Sequence, residues 1–279
     1  MIAEVVEAVR GRPLGRGEAL LVALGQSGFV LRLADTVVVV DPFLSPNDQR
    51  LVPADESIGS TTGIDVVACT HEHRDHLDLP TLRVLLAGSL SAALVVPEPV
   101  APAVVAAGID ASRVMPAQPT RRLRFGQVVI DSVAARHGVH VADAYTSGEE
   151  LSHGLVRYLG YIFTAPGIVL YHAGDTIMYE GLAASLRPYD IDVAMLPING
   201  RDRAREERDL VGNLGPEEAV ALAVAAGADL LIPMHYDMYA HNSGRPEDLI
   251  AYGRADGHRL SIAVLARGTP FVYAGRHRP

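Results

Sequence analysis

Six consecutive residues, His71-Glu72-His73-Arg74-Asp75-His76, constrain this chain more tightly than any other stretch. They follow the apolar run IDVVACT, Ile64 to Thr70, which reads as a buried strand. They precede LDLPTLRVLLAG, whose apolar residues fall at helical spacing with Pro80 near the start. The cluster therefore sits where a strand ends and a helix begins. Side chains two apart on an extended backbone project to the same side, so His71 and His73 can clasp one ion. Asp75 and His76 fall at the turn into the helix, where the backbone changes direction and can aim them at a second ion beside the first. A decorated surface loop has no need of three histidines and an aspartate at these gaps, whereas a two-metal site does.

The rest of the chain follows the same grammar. From Ala19 to Asp41 three short apolar runs, ALLVALG, GFVLRLA and TVVVVDP, are separated by turn residues and read as strands joined by hairpins. The middle gives SAALVVP as a strand, PVAPAVVAAGI as a short helix, RVMP as a strand, and QVVIDSVAARH as a strand ending in His137. RYLGYIFTA and GIVLYHAG form a hairpin around Pro166-Gly167 that delivers Gly174-Asp175-Thr176. The last third reads as strand IDVAMLP, helix PEEAVALAVAAG, strand DLLIPMHYD ending in His235, a helix around Glu247 to Arg254, and closing strands HRLSIAVLA and TPFVYAG. Each half runs strands first and strand-helix units after, which predicts an α/β fold of two face-to-face sheets with helices outside, a four-layer αββα sandwich. No linker or low-complexity tract interrupts it, so residues 1–279 are read as a single domain.

Composition narrows the function. A net charge of -9 argues against long nucleic acid as a partner and leaves small anionic substrates open. The chain has no lysine, which excludes Schiff-base chemistry and the Gly-Lys-Ser/Thr phosphate loop. Cys69 is the single cysteine, so disulfide frameworks and cysteine-rich zinc sites are absent, and a reducing, cytoplasmic compartment is expected. Cys69 itself reads as a small buried apolar residue. Glu4 and Glu7 interrupt the first residues and no basic start precedes an apolar run, so no secretory signal is read there. No segment approaches about 18 uninterrupted apolar residues, so no membrane partner is expected.

HEHRDH matches the His-x-His-x-Asp-His signature and so resembles the metallo-β-lactamase superfamily, with further matching positions along nearly the whole chain. The resemblance implies a third histidine for the first ion, supplied by His137 in VAARH, with His140 as the competing choice. It implies a bridging carboxylate, Asp175 in YHAGDT, and a last histidine after a late strand, His235 in LLIPMHYDM, ahead of His241. His153, His172, His258 and His277 are read as non-ligands. LPINGRD, VGNLGPEEAVALAVAAGADLLIPMHYDM, LGQSGFVLRL and VVVDPFLS are similar to the branch that contains L-ascorbate-6-phosphate lactonase. That branch implies manganese ahead of zinc, a sugar lactone phosphate as substrate and a homo-oligomer.

The expected chemistry is hydrolysis. His71, His73 and His137 hold one divalent metal, Asp75, His76 and His235 a second, and Asp175 bridges them, so that hydroxide forms near neutral pH and opens a cyclic ester. Asp75 and Asp175 carry the catalytic assignment, and the proton donor to the leaving group is left open among Asp75, Tyr236, His172 and a metal-bound water. Arg201 and Tyr236 are the expected substrate contacts. Arg203, Arg205 and Arg208, interleaved with Asp202, Glu206, Glu207 and Asp209, read as a solvated surface. Two other readings stay open: a phosphodiesterase acting on a small or cyclic nucleotide, and a non-catalytic metal-binding domain.

Overall fold

The computed structural model describes residues 1–255 and 259–275. Helix α1 (Ile2–Gly11) opens the chain, and the three apolar runs after it form β1 (Glu18–Gly25), β2 (Gly28–Leu33) and β3 (Thr36–Val40). Strand β4 (Val66–Ala68), helix α2 (Leu79–Gly88), strand β5 (Ala93–Pro97), helix α3 (Ala101–Ala106) and strand β6 (Val114–Ala117) then build parallel crossovers onto β3. Pro80 lies in the first turn of α2, where its missing N–H goes unmissed.

The second sheet takes β7 (Leu123–Phe125), β8 (Val128–Ala134), β9 (Leu159–Ala165) and β10 (Ile168–His172), each antiparallel to the one before. After α4 (Leu182–Leu186) it continues in parallel through β11 (Val193–Pro197), then α5 (Arg203–Glu206), α6 (Pro216–Ala226), β12 (Leu230–Met234), α7 (Pro246–Ala255) and β13 (Ser261–Ile262). The last strand, β14 (Phe271–Ala274), pairs with β1 in the first sheet. Two seven-stranded sheets result, ordered β14-β1-β2-β3-β4-β5-β6 and β13-β12-β11-β10-β9-β8-β7.

Strand periodicity decides which residues fill which layer. On β3, Val38 and Val40 join the core between the sheets, while Val37 and Val39 face α1 and the other outer helices. Leu21 against Leu20 and Val22 on β1, and Val66 against Val67 on β4, divide the same way. Because both faces are buried, these strands are continuous apolar runs rather than alternating ones. Each fully buried aliphatic side chain contributes about 2 kcal/mol of hydrophobic stabilisation. Cys69 is fully buried in the outer cluster, as expected for an apolar role. The four-layer αββα arrangement matches the expectation from sequence.

Four details differ. Strand β8 ends at Ala134, before His137, which instead makes an isolated bridge with Thr146. HRLSIAVLA yields only the short β13. Strand β7 was not expected, and neither was the return of the C-terminal strand to the first sheet. Among the described residues no helix is long and apolar enough to cross a membrane.

Candidate metal centre

The carboxyl ends of β3, β4, β8, β10 and β12 deliver the polar residues to one place, as open α/β sheets do with their ligands. Past β4 the backbone turns, with the N–H groups of His76 and Leu77 both donating to the His73 carbonyl at 2.9 and 2.8 Å. That turn brings all four metal-type residues of the HEHRDH segment to the same rim. Donor atoms of His71, His73, His137 and Asp175 lie within 4.8 Å of one another, and those of Asp75, His76 and His235 form a second such group. In the first group Nδ1 of His73 is 3.0 Å from Nε2 of His71 and 3.1 Å from Nε2 of His137. Asp175 touches both groups: Oδ1 lies 3.3 Å from Nε2 of His76, and Oδ2 lies 3.2 Å from Nε2 of His235 and 3.6 Å from Nε2 of His137. His73 and Asp75 are the partly exposed members, so the centre opens on their side.

Backbone strain gathers at the same rim. Gln26, Asp41 and His235 all take positive φ, at 55°, 43° and 59°. A non-glycine residue there costs on the order of 1 kcal/mol or more and persists where surrounding contacts over-determine it. Asp41 is such a case: fully buried, it accepts from the backbone N–H of Thr70 at 2.8 Å, from the Thr70 hydroxyl at 2.7 Å, and faces Nδ1 of His76 at 2.7 Å. A carboxylate on the far ring nitrogen fixes both tautomer and orientation of a metal-binding histidine.

Burial alone would strip protons from the innermost imidazoles. For His71 and His137 burial prevails, aided by neighbouring histidines, and holds His71 well below the usual range and His137 down to about 3. At His76 and His235 burial is outweighed by carboxylates, chiefly Asp175, so His76 is raised well above its ordinary value and His235 to about 9. Asp175 is buried too, yet His235 and His76 hold its carboxyl well below the ordinary value. These carboxylates demand positive charge beside them, which a divalent cation meets through the same lone pairs.

Two buried atoms test whether the residues fit a metal. Nε2 of His76 and Oδ1 of Asp175, 3.3 Å apart, make no hydrogen bond among the described residues. Leaving such atoms unpaired costs about 1–3 kcal/mol each, and a shared cation satisfies both. The donor set, all imidazole and carboxylate, suits zinc or manganese. The residues present therefore fit a divalent ion on each side of Asp175.

Asp41 supplies a first expectation. Asp41→Asn keeps the shape but removes the charge behind His76, so metal affinity should fall by about 10–100-fold in competition with a chromophoric chelator. Unchanged affinity would mean that packing alone holds the ring.

The other sequence-read residues fall as follows. His140 is exposed and pairs with Asp209 at 2.6 Å, outside both donor groups, so the geometry favours His137. His172 is buried with both ring nitrogens engaged, Nε2 facing the Ser27 carbonyl at 2.8 Å and Nδ1 accepting from Gly174 at 3.2 Å. His241 packs on Tyr239, and His153 is exposed. His258 and His277 lie outside the described residues. Arg201 makes a two-pronged ion pair with Glu218, at 2.7 and 2.8 Å. Tyr236 follows His235 and packs against the inter-sheet core. Arg203 pairs with Glu207 at the surface, as read, whereas Arg205 departs from that reading: half-buried, it pairs with Asp202 and also donates to the Asn199 carbonyl at 2.7 Å and to Oδ1 of Asn242 at 3.1 Å. Asp41, Thr70 and Gln26 were missed. The signal for Asp41 was present in VVVVDP, an aspartate ending a buried strand.

A sandwich of two mixed sheets with paired His/Asp donor groups on one rim defines a metallo-hydrolase scaffold. The chain belongs to the metallo-β-lactamase superfamily: the family model described as the beta-lactamase superfamily domain matches residues 36–236. Several relatives are named metal-dependent hydrolases. A UPF0173 metal-dependent hydrolase of Opitutus terrae is 31% identical over 251 residues, covering 87% of this chain and 95% of that one. A second, from Methanoculleus marisnigri, is 30% identical over 218 residues, covering 77% and 80%. Among solved structures, isothiocyanate hydrolase from Delia radicum gut bacteria shares the fold with a TM-score of 0.72 at 17% identity, over 92% of this chain and 100% of that one.

Proposed function

We propose that this metal-dependent hydrolase opens a small anionic lactone, of the sugar lactone phosphate class, with His71, His73 and His137 holding one divalent ion and Asp75, His76 and His235 a second. The observation that carries the two-ion reading is Asp175, whose two oxygens face donors of both groups. The lactone itself rests on the likeness of the LPINGRD and VGNLGPEE segments to the lactonase branch. Bound there, divalent ions supply Lewis acidity and a water acidic enough to ionise near neutral pH.

The chain's own residues do the rest. Asp175 and Asp75 provide the negative charge that keeps two cations close, and Asp41 with Thr70 holds the ring of His76 in register. His172 drops out as a proton donor, since its nitrogens are committed to backbone. Asp75 already accepts a hydrogen bond from Gln26 at 2.7 Å and serves as an acceptor. Tyr236 and a water held at the centre remain as donors: burial first, then Asp237, raises the Tyr236 hydroxyl to about 12, so it carries a proton at neutral pH but gives it up reluctantly. To hold an anionic substrate group, Arg201 would exchange its Glu218 carboxylate for it.

Metal analysis followed by hydrolysis assays tests the reading. Chelation should abolish turnover, manganese or zinc should restore it, and phosphorylated lactones should give the highest kcat/KM. Arg201→Ala should raise KM about tenfold for phosphorylated lactones alone, the worth of one charge-assisted contact. Phosphodiesters turning over faster than every lactone would sink the lactone assignment. Retained metal without turnover on any of these substrates would favour a binding domain.

A further inference from the structure

The turn between β1 and β2 places one side chain in the centre that no motif marks. Gln26 is 3% exposed, and Nε2 of its carboxamide lies 2.7 Å from Oδ2 of Asp75 and 3.0 Å from Nε2 of His235. The carboxylate of Asp75 can only accept, so the amide must present N–H to it, because the opposite orientation would set oxygen on oxygen. The other end, Oε1, is buried with no hydrogen-bond partner among the described residues.

The backbone is pinned to the same loop. The Gln26 N–H donates to Oδ1 of Asp237 at 2.8 Å, and the Gln26 carbonyl accepts from the N–H of His235 at 2.8 Å. Gln26 and His235, both at positive φ, thus brace each other across the two sheets. A strained backbone and an unsatisfied amide oxygen both oppose folding, and the group they hold in place touches two donors of a single group, Asp75 and His235.

From this we propose that Gln26 is a positioning residue of the second ion site: its carboxamide N–H fixes Asp75 beside His235 and so sets how tightly that site holds its ion. The proposal rests on the two-ion reading above. Outer partners of metal ligands are worth about 10–100-fold in affinity, and Gln26 acts on one side of Asp175 only.

The test is calorimetric titration of the metal-stripped full chain with Mn2+ alone, beside thermal melts of the same samples. The wild type should show two classes of ion. Gln26→Leu, similar in volume but without the N–H, should keep one class unchanged and weaken the other about 10–100-fold. Gln26→Glu, of equal length but unable to donate to Asp75, should weaken the same class. Wild-type affinities in Gln26→Leu would overturn the proposal and leave the two-ion reading standing. Wild-type or tighter binding in Gln26→Glu would overturn it in favour of ligation by oxygen. Equal weakening of both classes with a lower melting temperature would reduce Gln26 to a structural turn residue. A single class in the wild type would overturn the two-ion reading and this proposal together.

Discussion

Asp175→Ala is expected to cost more than about 100-fold in kcat and to release bound metal, because even partners one step removed from a metal are worth about 10–100-fold and Asp175 touches both donor groups directly. Its removal leaves Nε2 of His76, His235 and His137, now 3.3, 3.2 and 3.6 Å from its oxygens, without the charge that organises them. The raised values of His76 and His235 depend chiefly on this carboxylate, so both imidazoles should hold their protons less tightly in the variant. Asp175→Asn separates charge from shape: it keeps an oxygen in place but not the negative charge, and should also fail to hold two ions. Elemental analysis of each purified variant, with kcat on the best substrate found, checks this. Full metal content and turnover in Asp175→Ala would remove the residue from the centre.

Much of this was legible because metal chemistry leaves local marks. HEHRDH lies within six residues and after a strand, so the direction of its side chains follows from backbone periodicity alone. The distant partners were legible only through likeness to a family, because nothing local to His137, Asp175 or His235 says that they meet. What stayed hidden was contact across sheets. Asp41 reads as the end of a strand and Gln26 as a turn residue, and their roles appear only once Thr70, Asp75 and His235 are folded beside them. The pairing of β14 with β1 was hidden for the same reason, since it joins the two ends of the chain. For Arg201 the charge was legible in sequence, but its pairing with Glu218 and with the Asn213 carbonyl is again a contact that only the fold shows.

Gly174→Ala should couple the fold and the centre most directly. Gly174 has φ of 60°, and a Cβ there would lie 2.7 Å from the Leu159 carbonyl oxygen and 2.8 Å from Cβ of Thr70. The backbone conformation costs an L-residue about 1–2 kcal/mol, and forcing atoms into a packed site adds about 1–3 kcal/mol. Neither neighbour can yield freely, since Leu159 begins β9 and its N–H donates to the Thr70 carbonyl at 3.1 Å. Thr70 also anchors Asp41 and lies 3.1 Å from Nδ1 of His71, so its displacement disturbs ligands of both groups. A loss of about 2–5 kcal/mol is expected from these two terms, lowering the melting temperature by roughly 5–15 °C and weakening metal binding as well. Gly181→Ala is the control: φ is 92°, but among the described residues nothing lies within 4 Å of the added Cβ, so it bears the conformational cost alone. If Gly174→Ala melts no lower than Gly181→Ala and binds metal as tightly as the parent, the tight fit at Gly174 does not govern the centre. A larger fall in Gly174→Ala, with weaker binding confined to that variant, would show that the approach of Thr70 to the Gly174 backbone sets the position of both ion sites.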